Sequence, residues 1–269
     1  MIVRVSLAQV AAVADADACR ALAREAVGRG ADDGADLVVL PEYASYFDPR
    51  GVDAGAAEPV DGPFVIEMRE AARRHDVAVA AGVTLEGDGR GRASNGVVLV
   101  DAQGELRGVY RKVHLYDAYG ERESERFAPG PFDMPPTMTV GDGTVGVMTC
   151  YDLRFPESAR RALDAGADVL LCPAAWAAGP GKIEQWTVLA QARAIESTAF
   201  VVAVGMAGRG VCGSSTAVGP DGTVRARLGL EPGQVTVDLD HADVVRTRER
   251  NPSLANRRFA VVPREGAGG

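Results

Sequence analysis

Lysine is almost missing from this sequence. Of 29 basic residues only Lys112 and Lys182 are lysine, and the other 27 are arginine. Where arginine serves nearly every bare positive charge, a retained lysine hints at a need for a compact ammonium, because the two side chains are not interchangeable. Chance survival is the competing explanation. Long apolar runs are missing too, none approaching the roughly 20 residues that span a bilayer. There is no basic block, and 37 acidic residues against 29 basic ones give a net charge of −8. That balance lacks the electrostatic footprint of a nucleic-acid binder. Cysteine is sparse: Cys19, Cys150, Cys172 and Cys212 lie far apart without CxxC spacing. A disulfide scaffold and a zinc ribbon are both poor readings, and reduced thiols in a cytoplasm are expected. The first ten residues, MIVRVSLAQV, lack a signal-peptide layout, since a lone Arg sits inside an alternating strand pattern.

Familiar motifs are absent as well. No GxSxG, HExxH or Walker A pattern occurs. Gly141–Gly146 fits GxGxxG but opens a strand rather than a helix, so it reads as a hairpin turn. Asn251-Pro252-Ser253 is no glycosylation site, because its middle residue is proline.

What is present is an ordinary globular balance, 46% hydrophobic and 25% charged over 269 residues. We expect one domain over 1–269, with a tail from about 251 that is partly extended. Ile2–Gln9 alternates as a strand, Asp15 to about Arg29 reads as an Ala-rich helix closed by Gly30 and Gly34, and Leu37–Leu40 is a buried strand stopped by Pro41. A helix over Pro63–His75 has proline in its first turn, and strands follow at Val77–Leu85, Gly96–Asp101 and Leu106–Leu115. The second half predicts strands at Thr144–Thr149, Val169–Cys172 and Phe200–Val204, with helices at Glu157–Ala165 and Ile183–Ser197. Ser214–Val218 and Thr223–Leu228 flank a Pro-Asp-Gly turn, and Gln234–Leu239 is a last strand before a charged helical tail.

The two halves repeat one another. Gly34-Ala35-Asp36-Leu37-Val38-Val39-Leu40-Pro41 matches Gly166-Ala167-Asp168-Val169-Leu170-Leu171-Cys172-Pro173 in residue type everywhere except Cys172. A downstream hairpin recurs as VVLVDAQGELRG and TAVGPDGTVRAR. Two β-α-β-α-β halves with a hairpin each predict an α/β protein of two face-to-face sheets covered outside by helices.

Three residues carry candidate chemistry. Cys150 sits where a strand ends and a turn leads into a helix, where a thiolate is favoured and a nucleophile is exposed. The other three cysteines lie inside element patterns and fit inert burial. Glu42 follows the end of an apolar strand, where α/β sheets place ligands. Apolar walls there would raise its pKa and suit it as a base for a thiol. The matching position of the second repeat is Ala174, so a carboxylate is not a requirement of the repeated strand end. Lys112 ends a strand with Arg111 on the opposite face, a place from which an ammonium can stabilise an oxyanion. His114, two residues on, is expected to bond locally.

Together PEY at Pro41–Tyr43, YRKVHLYD at Tyr110–Asp117 and CYDLRFPE at Cys150–Glu157 resemble the nitrilase superfamily of carbon–nitrogen hydrolases. The order Glu, Lys, Cys matches, and the resemblance extends over nearly the whole chain, including CPAAW and ARAIES. It implies a four-layer α-β-β-α sandwich whose subunits pair into a homodimer or a higher homo-oligomer. It also implies Glu42 as base, Lys112 at the oxyanion, Cys150 as nucleophile and a second glutamate. Glu123 is the best match for that second glutamate, with Glu121 and Glu125 as fallbacks. Tyr43, Tyr151, Arg154 and Trp176 are the implied substrate-binding residues. Arg154 corresponds to an arginine that binds a substrate carboxylate in N-carbamoyl relatives; pairing with an acidic neighbour is its alternative.

CYDLRFPE is most similar to the omega-amidase and deaminated glutathione amidase branch. Relatives often carry His before the tryptophan of the long helix, where this chain has Gln185 before Trp186. The implied reaction is hydrolysis of a small carboxylate-bearing amide through a cysteine thioester, without metal or organic cofactor. Amide or acyl transfer from the same thioester, or nitrilase or N-carbamoyl hydrolysis, are the alternatives. The implied partner is a small amide, with no nucleic acid and no membrane.

Overall fold

A computed structural model describes residues 2–264. The chain runs β1 (Ile2–Gln9), α1 (Ala16–Asp32), β2 (Leu37–Val39), α2 (Pro63–His75), β3 (Ala78–Glu86), β4 (Ala93–Val100) and β5 (Leu106–Arg111). It continues through β6 (Thr137–Val140), β7 (Gly143–Val147), α3 (Pro156–Asp164), β8 (Val169–Ala174), α4 (Lys182–Ser197) and β9 (Phe200–Gly205). It ends with β10 (Thr216–Val218), β11 (Val224–Arg227), β12 (Gly233–Asp240) and α5 (His241–Arg250).

The strands form two six-stranded sheets, ordered β12-β1-β2-β3-β4-β5 and β11-β10-β9-β8-β7-β6. Alternation along each strand sends successive side chains to opposite faces. Val5, Leu7, Leu37 and Val39 of the first sheet meet Val147, Leu171 and Val202 of the second in a core between the sheets. Val38, Val79 and Val98 face outward onto Val27, Phe64 and Met68 of α1 and α2. Leu170 and Val201 pack in the same way against Trp186 and Ala190 of α4 and Ala159 of α3. The result is the α-β-β-α sandwich that the doubled pattern predicts.

The repeated Gly-Ala-Asp has one structural job in both copies. Gly34 and Gly166 take φ of 75° and 97°, the left-handed conformation that ends a helix without Cβ strain. Asp36 then donates its N–H to the Arg4 carbonyl at 2.8 Å while its carboxylate accepts the Arg4 N–H at 2.7 Å. Asp168 does the same with Thr144, at 2.9 and 2.8 Å. Each aspartate thus sets a strand in register beside its parallel neighbour.

Two features differ from expectation, and a third, the placement of the last strand, is one that the sequence leaves open. The strand expected over Leu106–Leu115 stops at Arg111, because after one more ladder bond, Lys112 N–H to the Asn95 carbonyl, the chain turns toward Asp152. A short strand precedes the glycine hairpin, pairing β6 with β7. The last expected strand, to which the sequence reading gives no sheet, is β12, and it joins the first sheet, pairing antiparallel with β1. In the tail, residues 251–264 carry no helix or strand, and 265–269 lie outside the described residues. Among the described residues no helix is long and apolar enough to cross a membrane.

Candidate active site

The ends of three strands converge from both sheets. β2 runs into Pro41 and Glu42, and Gly82 of β3 lies so close that a Cβ there would meet the Pro41 carbonyl at 2.4 Å. β5 delivers Lys112. β7 delivers Cys150 at the start of a 3-10 turn over Cys150–Arg154, with Thr149 and Asp152 forming a capping box. Tyr43 and Cys150 both hold positive φ, 58° and 46°. Non-glycine residues adopt that conformation at a cost of about 1–3 kcal/mol each and persist where surrounding structure over-determines them.

Glu42, Lys112 and Glu123 form one buried cluster. The Lys112 ammonium lies 2.9 Å from Glu42 Oε1 and 2.9 Å from Glu123 Oε2. The side chains of all three are 5% exposed or less, so neither charge is screened by water. Burial opposes the Lys112 charge, but the Glu123 and Glu42 carboxylates hold its pKa well above the usual lysine range. Burial likewise works against Glu123, but the Lys112 charge and hydrogen bonds from Asn95 and the Tyr116 N–H hold its carboxyl below the usual range.

Glu42 does not rest against apolar walls as expected. Its Oε1 accepts from Lys112 and from Asn95 Nδ2 at 2.7 Å, and its Oε2 accepts the Ala175 N–H at 2.7 Å. Ala175 follows Ala174, the position that matches Glu42 in the repeat. The second copy therefore supplies a backbone donor to the carboxylate of the first.

The expectation for Cys150 also needs correction. Instead of favouring the thiolate, the site pushes the thiol well above its usual pKa. Burial is the main cause and the adjacent Glu42 carboxylate adds to it, with Lys112 acting in the opposite direction. The resting group is a thiol facing a carboxylate.

All eight residues singled out from the sequence line one cavity of about 190 Å³: Glu42, Lys112, Cys150 and Glu123, with Tyr43, Tyr151, Arg154 and Trp176 around them. Tyr43 donates its hydroxyl to Glu123 at 2.8 Å. The Arg154 guanidinium lies 4.8 Å over the Trp176 ring and 6.0 Å over Tyr151. Among the described residues no carboxylate pairs with Arg154; it donates instead to Gln185 Oε1 at 2.7 Å, and its buried Nε has no partner. The acidic-neighbour alternative for Arg154 therefore falls. Of the fallback glutamates, Glu121 pairs with Arg126 at 3.7 Å and Glu125 with Arg122 at 3.5 Å, both largely exposed. Of the three candidates for the second glutamate, Glu123 is the one that reaches Lys112.

Two further residues make strong contacts here: Asn95, which the sequence reading misses, and Lys182, which it notes only for the rarity of lysine. Asn95 is buried, and its Nδ2 reaches Glu42, Tyr43 and Glu123 at 2.7–2.9 Å. Lys182, the second of the two lysines, lines the same cavity with Nζ 3.2 Å from the Tyr116 hydroxyl and 3.6 Å from the Tyr119 ring centre. His114 bonds across the chain to Asp152 rather than locally. Among the described residues no group of three or more His, Cys, Asp or Glu is placed to hold a metal ion.

A family model described as carbon-nitrogen hydrolase matches residues 4–249. The chain belongs to the carbon–nitrogen hydrolase family. A hydrolase of Mycobacterium tuberculosis is 37% identical over 277 residues, covering 94% of this chain and 95% of that protein. A deaminated glutathione amidase of Escherichia coli is 34% identical over 248 residues, covering 91% and 92%. A solved amidase of the nitrilase superfamily from Nesterenkonia is 29% identical with a TM-score of 0.77, covering 94% and 96%. In another structure of that amidase, acrylamide has added to the active-site cysteine. As a member of this family, the chain is an enzyme acting on carbon–nitrogen bonds, with amidases among its relatives.

Proposed function

We propose that this carbon–nitrogen hydrolase is an amidase that converts a small carboxylate-bearing amide to the acid and ammonia through a thioester on Cys150. The observation that carries the reading is the convergence of a buried thiol, a carboxylate and an ammonium on one small cavity. A thiol held protonated needs a base beside it, and Glu42 stands there. As sulfur attacks the amide carbon, Glu42 takes the thiol proton. Lys112, kept charged by its two glutamates, meets the oxyanion together with the backbone N–H of Tyr151. Glu123 holds the ammonium in place. Glu42 returns the proton to the departing nitrogen and ammonia leaves. Water, losing a proton to Glu42, then attacks the thioester and releases the acid and the thiol.

Arg154, with an unbonded Nε and no carboxylate partner, is suited to a substrate carboxylate, and Trp176, Tyr151 and Tyr43 shape the walls. Four free, buried thiols support work in a reducing cytoplasm. Met134 and Val262, exposed along one groove, support pairing of two subunits.

The test is ammonia release from a panel of small ω-amides, with Cys150→Ala as control and mass spectrometry for an acyl group on Cys150. Turnover lost in Cys150→Ala is the expected result. Transfer to hydroxylamine outrunning hydrolysis would make the protein a transferase. Release from nitriles or carbamoyl compounds alone would move it to another branch of the superfamily. No ammonia from any of these would sink the proposal.

A further inference from the structure

The segment carrying Lys112 and the turn carrying Cys150 come from different sheets, yet they share one aspartate. Asp152 is fully buried in the turn two residues after Cys150. Its Oδ2 accepts the Thr149 N–H at 3.0 Å and the Tyr110 hydroxyl at 2.7 Å. Its Oδ1 accepts the His114 N–H at 3.1 Å and meets His114 Nδ1 at 2.8 Å. Tyr110 and His114 lie two residues to either side of Lys112, Tyr110 near the end of β5 and His114 beyond it, where the chain has turned toward Asp152. Thr149 and Asp152 likewise bracket Cys150. One carboxylate therefore fixes the ammonium's segment against the sulfur's turn.

His114 strengthens the join. Its ring stacks on Phe155, the residue closing the Cys150 turn, with centroids 3.8 Å apart and planes 7° from parallel. Ser158 Oγ lies 3.3 Å from His114 Nδ1. Burial and the Asp152 carboxylate push the Tyr110 phenol well above its usual pKa, which keeps it a donor. Each Asp152 oxygen faces two donors, an arrangement that an asparagine cannot reproduce because its amide nitrogen would face one of the pairs.

We infer that Asp152 and His114 are positioning residues: the Asp152–His114 bond sets Cys150 relative to Lys112 without touching substrate. This rests on the reading of Cys150 as nucleophile. Catalytic geometry is sensitive to displacements of about 1 Å, which cost on the order of 100-fold.

The experiment compares His114→Leu, His114→Asn and Asp152→Asn with the unaltered enzyme. Leucine keeps apolar bulk against Phe155 but cannot donate, whereas asparagine keeps a donor near the place of Nδ1. We expect His114→Leu to slow both kcat and iodoacetamide alkylation of Cys150 about tenfold or more, with KM within about twofold. His114→Asn restores most of both rates. Asp152→Asn, if it folds, behaves like His114→Leu. His114→Leu alkylating and turning over at the original rates overturns the inference. So does an equal loss in the Leu and Asn variants, or a change confined to KM or to the thermal midpoint. Alkylation needs no substrate, so it decides the role of His114 even if no amide is hydrolysed; that separate result would overturn only the proposed activity.

Discussion

Arg154 donates to Gln185 at 2.7 Å, a neutral partner, and so carries its full positive charge into the cavity. The other guanidinium groups on the cavity wall are matched, Arg50 by Asp48 at 2.6 Å and Arg126 by Glu121 at 3.7 Å. Among the described residues Arg154 has no carboxylate partner, which is what the proposed role in holding a substrate carboxylate requires. Arg154→Met is expected to raise KM for carboxylate-bearing amides about tenfold or more while leaving kcat nearly unchanged. Neutral amides of the same length should show no such rise. Steady-state kinetics on the matched pair checks this, and an equal effect on both would remove Arg154 from carboxylate binding.

Glu42→Gln separates acid–base work from thiol reactivity. The carboxylate both accepts the proposed proton and raises the thiol pKa by its charge. Removing it should cut kcat about 100-fold or more. The same change lets Lys112 act unopposed by Glu42, so the thiol pKa falls and alkylation of Cys150 begins at lower pH than in the original protein. Measuring alkylation rate against pH for both proteins gives the comparison; an unmoved profile contradicts the assigned electrostatics.

Lys112→Met leaves two buried carboxylates without their cation. Breaking such a pair typically costs about 3–5 kcal/mol. Glu123 has a lowered native pKa, so its contribution to stability is present in full above the unfolded value of about 4.3 and is lost as pH falls through the native value. Lys112 has a raised native pKa, so its contribution is complete below about 10.4 and is lost as pH rises through the native value. In Lys112→Met the acid dependence of this cluster reverses, because one carboxylate gains by taking a proton. Urea midpoints measured across the acid range read the sign directly.

Gly82→Ala probes the floor beneath Glu42. The added methyl would stand 2.4 Å from the Pro41 carbonyl oxygen and 2.5 Å from Glu42 Cα, both backbone atoms. We expect a loss of about 1–3 kcal/mol in stability, with a fall in kcat larger than the change in KM.

Local and repeating features were the legible part. The sandwich could be read from alternating strands and from Gly-Ala-Asp, because that tripeptide makes the same backbone bonds at Arg4 and at Thr144. Glu42, Lys112 and Cys150 stood out because each ends a strand. Asn95 did not, since Asn-Gly inside ASNGVVLV carries turn chemistry while the ladder, pairing Asn95 with Thr84, overrides it. The state of the Cys150 thiol was also hidden. It depends on Glu42 and on burial, both supplied by distant segments. The return of β12 to β1 is another long-range pairing without a local signal.

The Ala175 N–H bound to Glu42 has a consequence for how this protein fails. Glu42, the proposed proton acceptor, and Cys150, the proposed nucleophile, belong to opposite halves of a repeating chain, so on that proposal turnover reports whether the halves are seated together and not whether each is folded. Under mild denaturant, a slight parting of the layers is then expected to abolish ammonia release while far-ultraviolet ellipticity still records intact helices.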